Sequence, residues 1–194
     1  ILTDDAGEHA ARLGDFRQDY AQLSAGRYRG QLIQLRLPRL QVFRETRNQA
    51  VFERGSVEHG RVAIGLPGVA SGKAWFCGAE LDQAPRLLCT GADTEFLLRT
   101  PGGFDLVGLS LTEQEFDLAL QARGISQASS ARIGSRALPA SSTGLRLLRE
   151  QCVLALQRAA REPPSPAPFW REIEASLLDV LAEAVGAALQ GGVG

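Results

Sequence analysis

The residues best equipped for chemistry are few in this chain, and their spacing serves it poorly. Two histidines, His9 and His59, lie in unrelated segments with no carboxylate or thiolate at metal-ligand spacing. Both are therefore read as surface residues, and no metal or cofactor is expected. There is no G-x-S-x-G and no histidine beside a nucleophile, so a hydrolytic triad lacks its base and no catalytic residue is assigned. The stretch Gly68-Val69-Ala70-Ser71-Gly72-Lys73-Ala74 passes near a phosphate-binding loop. It places Pro67 where the first glycine belongs and Ala74 where the metal-contacting hydroxyl belongs, which leaves a hairpin turn.

Residues 121–132 imitate the turn and second helix of a helix-turn-helix, with Gly124-Ile125-Ser126 followed by Ser129, Ser130 and Arg132. Leu120 stands where a small residue should let the helices cross, and Glu113, Glu115 and Asp117 would repel phosphates. The stretch reads as a linker. A more promising set is the aromatic group Phe43, Trp75, Phe76, Phe96 and Phe104, which falls in strand-like segments. In a closed sheet such residues form a solid core or, where room is left, an apolar pocket for one small ligand. Glu45 and Glu95 are the polar residues to follow. Either one, if it points inward, needs Arg44, Arg47, Arg99 or an amine on a ligand as its partner.

The elements that would hold these residues divide the chain in two. Thr3 with Asp4 and Asp5 starts a short helix, which Gly14 ends. Ile33, Leu35 and Leu37 alternate with polar residues, and a second run follows from 40 to 54 with Gly55 closing it; together these predict a long β-pair. Further strands are predicted at 61–66, 73–77, 86–90, 94–100 and 104–111. Between them lie turn residues such as Pro67-Gly68 and Pro101-Gly102-Gly103, a spacing typical of sandwiches and barrels. After Leu111 the period becomes helical. Thr112 caps a helix running to Gly124, residues 126–144 form a polar linker, and a helix follows with Leu145, Leu148, Cys152 and Leu156 on one face. The helix from Pro168 to Leu189 carries Ile173, Leu177, Val180, Leu181 and Ala184 along one stripe, with Leu178, Val185 and Leu189 beside it. That face is wide enough for two neighbours: the preceding helix and either the sheet or another subunit.

Composition permits this layout. The chain has 194 residues, 44% hydrophobic and 22% charged, which suits one domain with accessory helices and argues against disorder. No apolar run is long enough for a membrane span and no leader pattern opens the chain, so a cytoplasmic protein without membrane contact is expected. The net charge of −1 gives no pull toward nucleic acid. Three cysteines without CxxC spacing are read as buried thiols, not as a disulfide framework.

Four segments together resemble the N-terminal regulatory domain of AraC/XylS-type transcription regulators, in the branch that includes the ethanolamine-utilisation regulator. They are YAQLSAGRYRG at 20–30, LQVFRETRNQAVFERG at 40–55, AWFCG at 74–78 and PGGFDLVGLS at 101–110, and the likeness runs in order over about residues 15–190. The resemblance implies a non-enzymatic α+β domain: a cupin-like β-barrel or sandwich that senses a small effector, followed by C-terminal helices that form a homodimer. DNA would be reached only through a separate domain with two helix-turn-helix units, which nothing after Leu189 could form. The layout is then 1–26 as an N-terminal helix and lead-in, 27–111 as the barrel, 112–144 as helix and linker, and 145–194 as the dimerisation region. Phe43, Glu45, Trp75, Phe76, Glu95, Phe96 and Phe104 are the ligand-site candidates. Leu148, Cys152, Ile173, Leu177, Leu181 and Val185 are the dimerisation candidates. Two alternatives stay open: a cupin-type enzyme with a metal held by carboxylates, and a structural dimerisation module with a solid barrel.

Overall fold

The computed structural model describes residues 1–68, 72–81, 85–125, 130–162, 164 and 168–191. In chain order the elements are β1 (Leu2–Thr3), α1 (Ala6–Ala10), β2 (Phe16–Gln22), β3 (Gly30–Arg36), β4 (Leu40–Arg47), β5 (Val51–Val57), β6 (Arg61–Pro67), β7 (Trp75–Phe76), β8 (Ala79–Glu80), β9 (Arg86–Thr90), β10 (Glu95–Thr100) and β11 (Phe104–Thr112). There follow α2 (Glu113–Ala122), α3 (Ser130–Ile133), β12 (Arg136–Pro139), α4 (Ser142–Arg161) and α5 (Pro168–Gly191). Seven strands pair antiparallel in the order β1-β3-β4-β11-β6-β9-β12, and five more in the order β2-β5-β10-β7-β8. The α+β class and the barrel-like sandwich with C-terminal helices are thus the architecture of the chain. No described helix is long and apolar enough to cross a membrane.

Period-two alternation sorts the larger sheet's side chains onto two faces. Leu40, Val42, Val62, Ile64, Leu66, Leu87, Cys89, Val107, Leu109 and Leu111 pack with α2, α4 and α5 in one apolar core. Leu32, Phe43, Leu88, Phe104 and Leu106 point to the other side, where they meet Phe16, Phe76, Phe96 and Leu98 from the smaller sheet. The helices are capped as their sequences dictate: Thr112 accepts from Glu115 N–H, and Ser141 accepts from Gly144 N–H. Burial pushes the thiols of Cys89 and Cys152 up to about 12, which leaves them inert, whereas Cys77 is exposed and not buried as expected.

Several sequence expectations are corrected. The run 40–54 is cut after Arg47, so that β4 and β5 fall in different sheets, and Gly55 lies inside β5. A Cβ on Gly55 would stand 2.7 Å from Gln18 Cβ and 3.0 Å from the Phe96 ring, so the residue is a point of close approach, not a terminator. The stretch expected as helix and lead-in contains β2, and the expected linker 126–144 contains α3 and β12. Asp5, not Thr3, caps α1, and Thr3 pairs with Gly30 in β1. Part of the helix-turn-helix-like stretch, 126–129, lies outside the described residues, as do 69–71 of the phosphate-loop look-alike. Of the former, 121–122 end α2, 123–125 leave it in a turn, and α3 is a single turn whose Ser130 N–H and hydroxyl bond the Asp117 carboxylate, folding it back on α2.

Leu148, Cys152, Leu177, Leu181 and Val185 are buried inside the chain, each at most 1% exposed, in the layer between helices and sheet, and only Ile173 reaches the surface. The wide apolar stripe of α5 lies against α4, α2 and β12.

Candidate functional site

Between the two sheets lies a cavity of about 40 Å³. Most of its wall is apolar: Leu13 and Phe16 at one end, Phe43, Phe76 and Phe96 as aromatic walls, and Leu88, Leu98 and Leu106 from the sheets. Phe16 meets Phe43 and Phe96 edge-on, at interplanar angles of 81° and 89°. Phe43 lies across the backbone of its cross-strand partner Gly108; a Cβ there would stand 2.1 Å from the ring. A glycine at 108 is therefore what allows Phe43 to hold this position. The polar side chains on the wall are Gln18, Glu45, Glu53 and Thr90. The volume accepts a few water molecules or a ligand of a few heavy atoms, well short of the roughly 300–1,000 Å³ of drug-sized sites.

Behind Glu45 and Glu53 sits a buried ionic cluster. Arg47 Nη1 donates to Glu45 Oε1 at 2.9 Å and to Glu53 Oε2 at 3.2 Å, and Nη2 reaches the same Glu53 oxygen at 3.2 Å. The guanidinium carbon lies 5.0 Å from the centre of the Tyr20 ring and 5.8 Å from that of Phe104. His9 is fully buried here and not on the surface. Its Nδ1 is 2.6 Å from Thr3 Oγ1, and its Nε2 faces Glu45 Oε1 at 3.1 Å. It fits because Gly30 lacks a side chain: a Cβ there would stand 2.3 Å from His9 Nδ1.

The two carboxyls respond differently to the same burial. Desolvation raises both, but for Glu45 the Arg47 charge, His9 and Tyr20 outweigh it and hold the group below its ordinary range. For Glu53 desolvation wins over Arg47, the Glu45 charge adds to it, and the carboxyl is pushed up to about 7. Burial would lower Arg47, yet the facing carboxylates keep its pKa above the usual value. Burial and the same carboxylates raise the Tyr20 phenol. The cluster thus holds one fixed positive charge against two carboxyls, one ionised and one close to titrating at neutral pH.

A second polar contact joins the cavity wall to the helices. Arg149 of α4 donates to the Leu66 carbonyl and to Asp105 Oδ2, both at 2.6 Å, and Arg44 holds the same carboxylate through two bonds of 3.0 and 2.9 Å. Burial raises Asp105, but the two guanidiniums bring it below the ordinary carboxylate range. Leu66 and Asp105 are the chain neighbours of Gly65 and Leu106, which line the cavity. At the other end of the sheet, Glu174 of α5 accepts from the backbone N–H and Nε of Arg39.

Of the ligand-site candidates, Phe43, Glu45, Phe76 and Phe96 come together on the cavity wall. Phe104 is buried beside it under Arg47. Trp75 and Glu95 face away: Trp75 packs under Arg99, and Glu95 is exposed and bound to Arg54. Sequence reasoning missed Glu53, Arg47 as an interior residue, His9, Gln18 and Phe16. Glu53 was findable, because it shares its period-two phase with Val51, Gly55 and Val57, all buried. Among the described residues no three His, Cys, Asp or Glu side chains are gathered for a metal ion, and Arg47 fills the position between Glu45 and Glu53 that a cation would take.

No protein-family model matches this sequence. Among solved structures, that of the AraC-like transcriptional activator CuxR is similar in fold. The TM-score is 0.63 at 15% sequence identity, with 96% of this chain and 70% of that chain covered. The likeness extends to the arrangement of sheets and helices and singles out no branch of regulators.

Proposed function

We propose that this chain is the regulatory part of an AraC-type transcription factor, a non-enzymatic domain that binds a small effector between its sheets and passes the result to a separate DNA-binding domain. The fold it shares with an AraC-like activator supports the regulatory reading. The observation that carries the sensing role is the Arg149 contact, which ties α4 to the two strand positions next to the cavity wall. An effector biases an equilibrium only by binding one arrangement better than the other, so the cavity must be mechanically joined to something that moves. The strands of β6 and β11 and the helix they hold provide that join.

Homodimer formation belongs to the same proposal, but through a different surface from the stripe of α5. Leu154, Phe169 and Ile173 line an open groove between α4 and α5, together with Arg158 and Glu172. Opposite charges in one apolar groove let a patch meet its own copy across a two-fold axis.

The sensing role is tested without knowing the ligand by filling the cavity from within. Ala63→Leu places side-chain volume in the cavity. Hydrogen exchange on the full chain is expected to change along 142–161, around Arg149, as well as in the sheets. A change confined to the sheets in a folded variant would remove the signalling route.

A further inference from the structure

We propose that the free edge of β3 is a docking site for an extended segment of a partner protein, which adds to the larger sheet as one more antiparallel strand in line with β1. Leu37 N–H bonds the Leu40 carbonyl, so the odd-numbered residues of β3 turn their backbone groups toward β4 and the even-numbered ones turn theirs outward. Part of that outward side is taken by β1. It pairs with Gly30 and Gln31, and Ile1 and Leu32 exchange hydrogen bonds in both directions, at 2.9 and 3.0 Å. There the ladder stops, while β3 continues to Arg36. The backbone N–H and C=O of Gln34 and Arg36 have no partner among the described residues. The sheet's opposite edge is blunted, because β12 ends in Pro139, which has no N–H to offer. No proline or bulge interrupts β3 between Gly30 and Arg36.

Beside this edge runs an open groove of about 460 Å³, walled by Ile33 and Leu35 on one side and by Leu156, Ala159 and Ala160 of α4 on the other. Gln34 and Arg36 border it too, although their side chains lie on the other face of the sheet, where Gln34 Nε2 bonds the Arg12 carbonyl and Arg36 reaches Asp15. What they offer the groove is backbone. Ladder and groove together define the occupant. Unpaired backbone groups at a strand edge recognise another backbone, so the partner is polypeptide. A strand antiparallel to β3 sends its side chains to alternate faces, each in phase with the residue opposite. Those opposite Ile33 and Leu35 enter the groove and must be apolar, with β-branched residues fitting best. The one opposite Arg36 is best acidic: that guanidinium is 61% exposed and lies 3.3 Å from Asp15, which Arg61 holds more closely at 2.8 Å. Read from its N-terminus, the partner segment is acidic, aliphatic, polar, aliphatic, and it ends or turns away where Ile1 begins. The far wall of the groove is α4, the helix that Arg149 ties to the cavity wall, so a seated strand bears on the same element as the proposed effector.

A tethered strand tests the edge first. Glu-Val-Thr-Val placed directly ahead of Ile1 in the full chain continues β1 in register, with Val, Thr, Val and Glu opposite Ile33, Gln34, Leu35 and Arg36 in turn, at an effective concentration of about millimolar or above. Hydrogen exchange is expected to slow at least about tenfold at the Gln34 and Arg36 amides, and to stay as it was at Ile33 and Leu35, whose N–H groups already face β4. Glu-Val-Pro-Val removes the N–H opposite Gln34 and should lose the protection there; Val-Glu-Val-Thr, slipped by one residue, should lose most of it at both amides. A folded tethered chain with unprotected Gln34 and Arg36, or equal protection with the proline version, would overturn the strand addition. The free peptide acetyl-Glu-Val-Thr-Val-amide is then titrated into the unaltered chain. Amide chemical shifts of Gln34, Arg36, Leu156 and Ala159 should move together, with a Kd of about millimolar, as befits so short a ladder. Shifts left unmoved by the free peptide would overturn a partner strand arriving from another protein. Protection of the same amides in the unaltered chain that grows with its own concentration would give the edge to a second copy and overturn the proposal as well.

Discussion

Along β11, Val107, Leu109 and Leu111 face the helices, while Leu106 and Gly108 face the smaller sheet, and the two sides of this one strand live in different solvents. The helix side is a continuous apolar layer in which Leu148, Leu177, Leu181 and Val185 fill the space under α4 and α5. The inner side holds a cavity, a buried arginine, two buried carboxyls and a buried histidine. Close packing of aliphatic side chains makes the first face stiff and indifferent to solution conditions. On the second, paired ionic groups trade a large desolvation cost against their mutual attraction, a balance that a proton or a ligand can tip. The sensing role proposed above would use both: one face that responds and one that carries a change as a rigid body.

The contrast is broken most severely at Arg47. Arg47→Met keeps much of the volume but leaves Glu45 and Glu53 buried without their cation, a class of change that costs about 3–5 kcal/mol. The sign with pH follows from the protons. Once Arg47 is gone, both carboxyls titrate higher in the folded chain than in the unfolded one, so the folded state holds the extra protons and stability falls as pH rises from about 5 to about 8. The unaltered chain has a milder form of this slope, because Glu53 moves from an ordinary 4.5 to about 7 on folding. Urea denaturation at several pH values checks both statements. A loss in Arg47→Met that stays constant across that range would mean that the carboxyls are not what the guanidinium stabilises.

Leu181→Ala probes the opposite face. The side chain is 1% exposed, and its removal leaves a void that the stiff layer cannot fully close, at a cost of about 3 kcal/mol. Neither the lost contacts nor the void titrate, so the loss is expected to be the same at about pH 5 and about pH 8. Parallel denaturation curves for the two variants would sharpen the distinction between the faces. A pH-dependent loss in Leu181→Ala would erase it.

How much of this was legible in the sequence also differs by face. The helix side was readable because its strands alternate aliphatic with polar residues and its helices repeat at the helical period, so β6, β9, β11, α2, α4 and α5 lie where the pattern puts them. The inner side hid itself. In β2 the inward residues are Phe16, Gln18 and Tyr20, paired with Val57, Gly55 and Glu53 of β5, so the strand has no run of aliphatics to betray it. In β5 the phase is inverted: Phe52 faces solvent and Glu53 faces in. In β10 the same rule applied to Phe96, Leu98 and Thr100 sends Glu95 outward. The buried state of His9 depends on Gly30, twenty-one residues away, a pairing that only the register of β1 with β3 creates. Chemistry placed inside a sandwich breaks the pattern by which strands are recognised, so a functional interior is the part that sequence periodicity describes least well.

The smallest effect on folding is expected where neither face is involved. Phe169 is 40% exposed at the start of α5 and packs on Trp170 and under Arg158, beside Leu154, which is 57% exposed. The ring lies in neither layer and keeps part of its surface in water, so Phe169→Glu should cost about 1 kcal/mol, less than either change above. The same substitution sets a carboxylate into the groove between α4 and α5, next to Glu172, where a second copy would bring the like charge of its own Glu172. Sedimentation velocity is therefore expected to show weakened self-association in a variant that remains folded. That result would assign partner contact to a third surface, the outer rim of the helices, leaving the stripe of α5 to its role inside the chain. An undiminished dimer would take the groove out of the interface and return the question to the edges of the sheets, where β8 and β12 end their ladders.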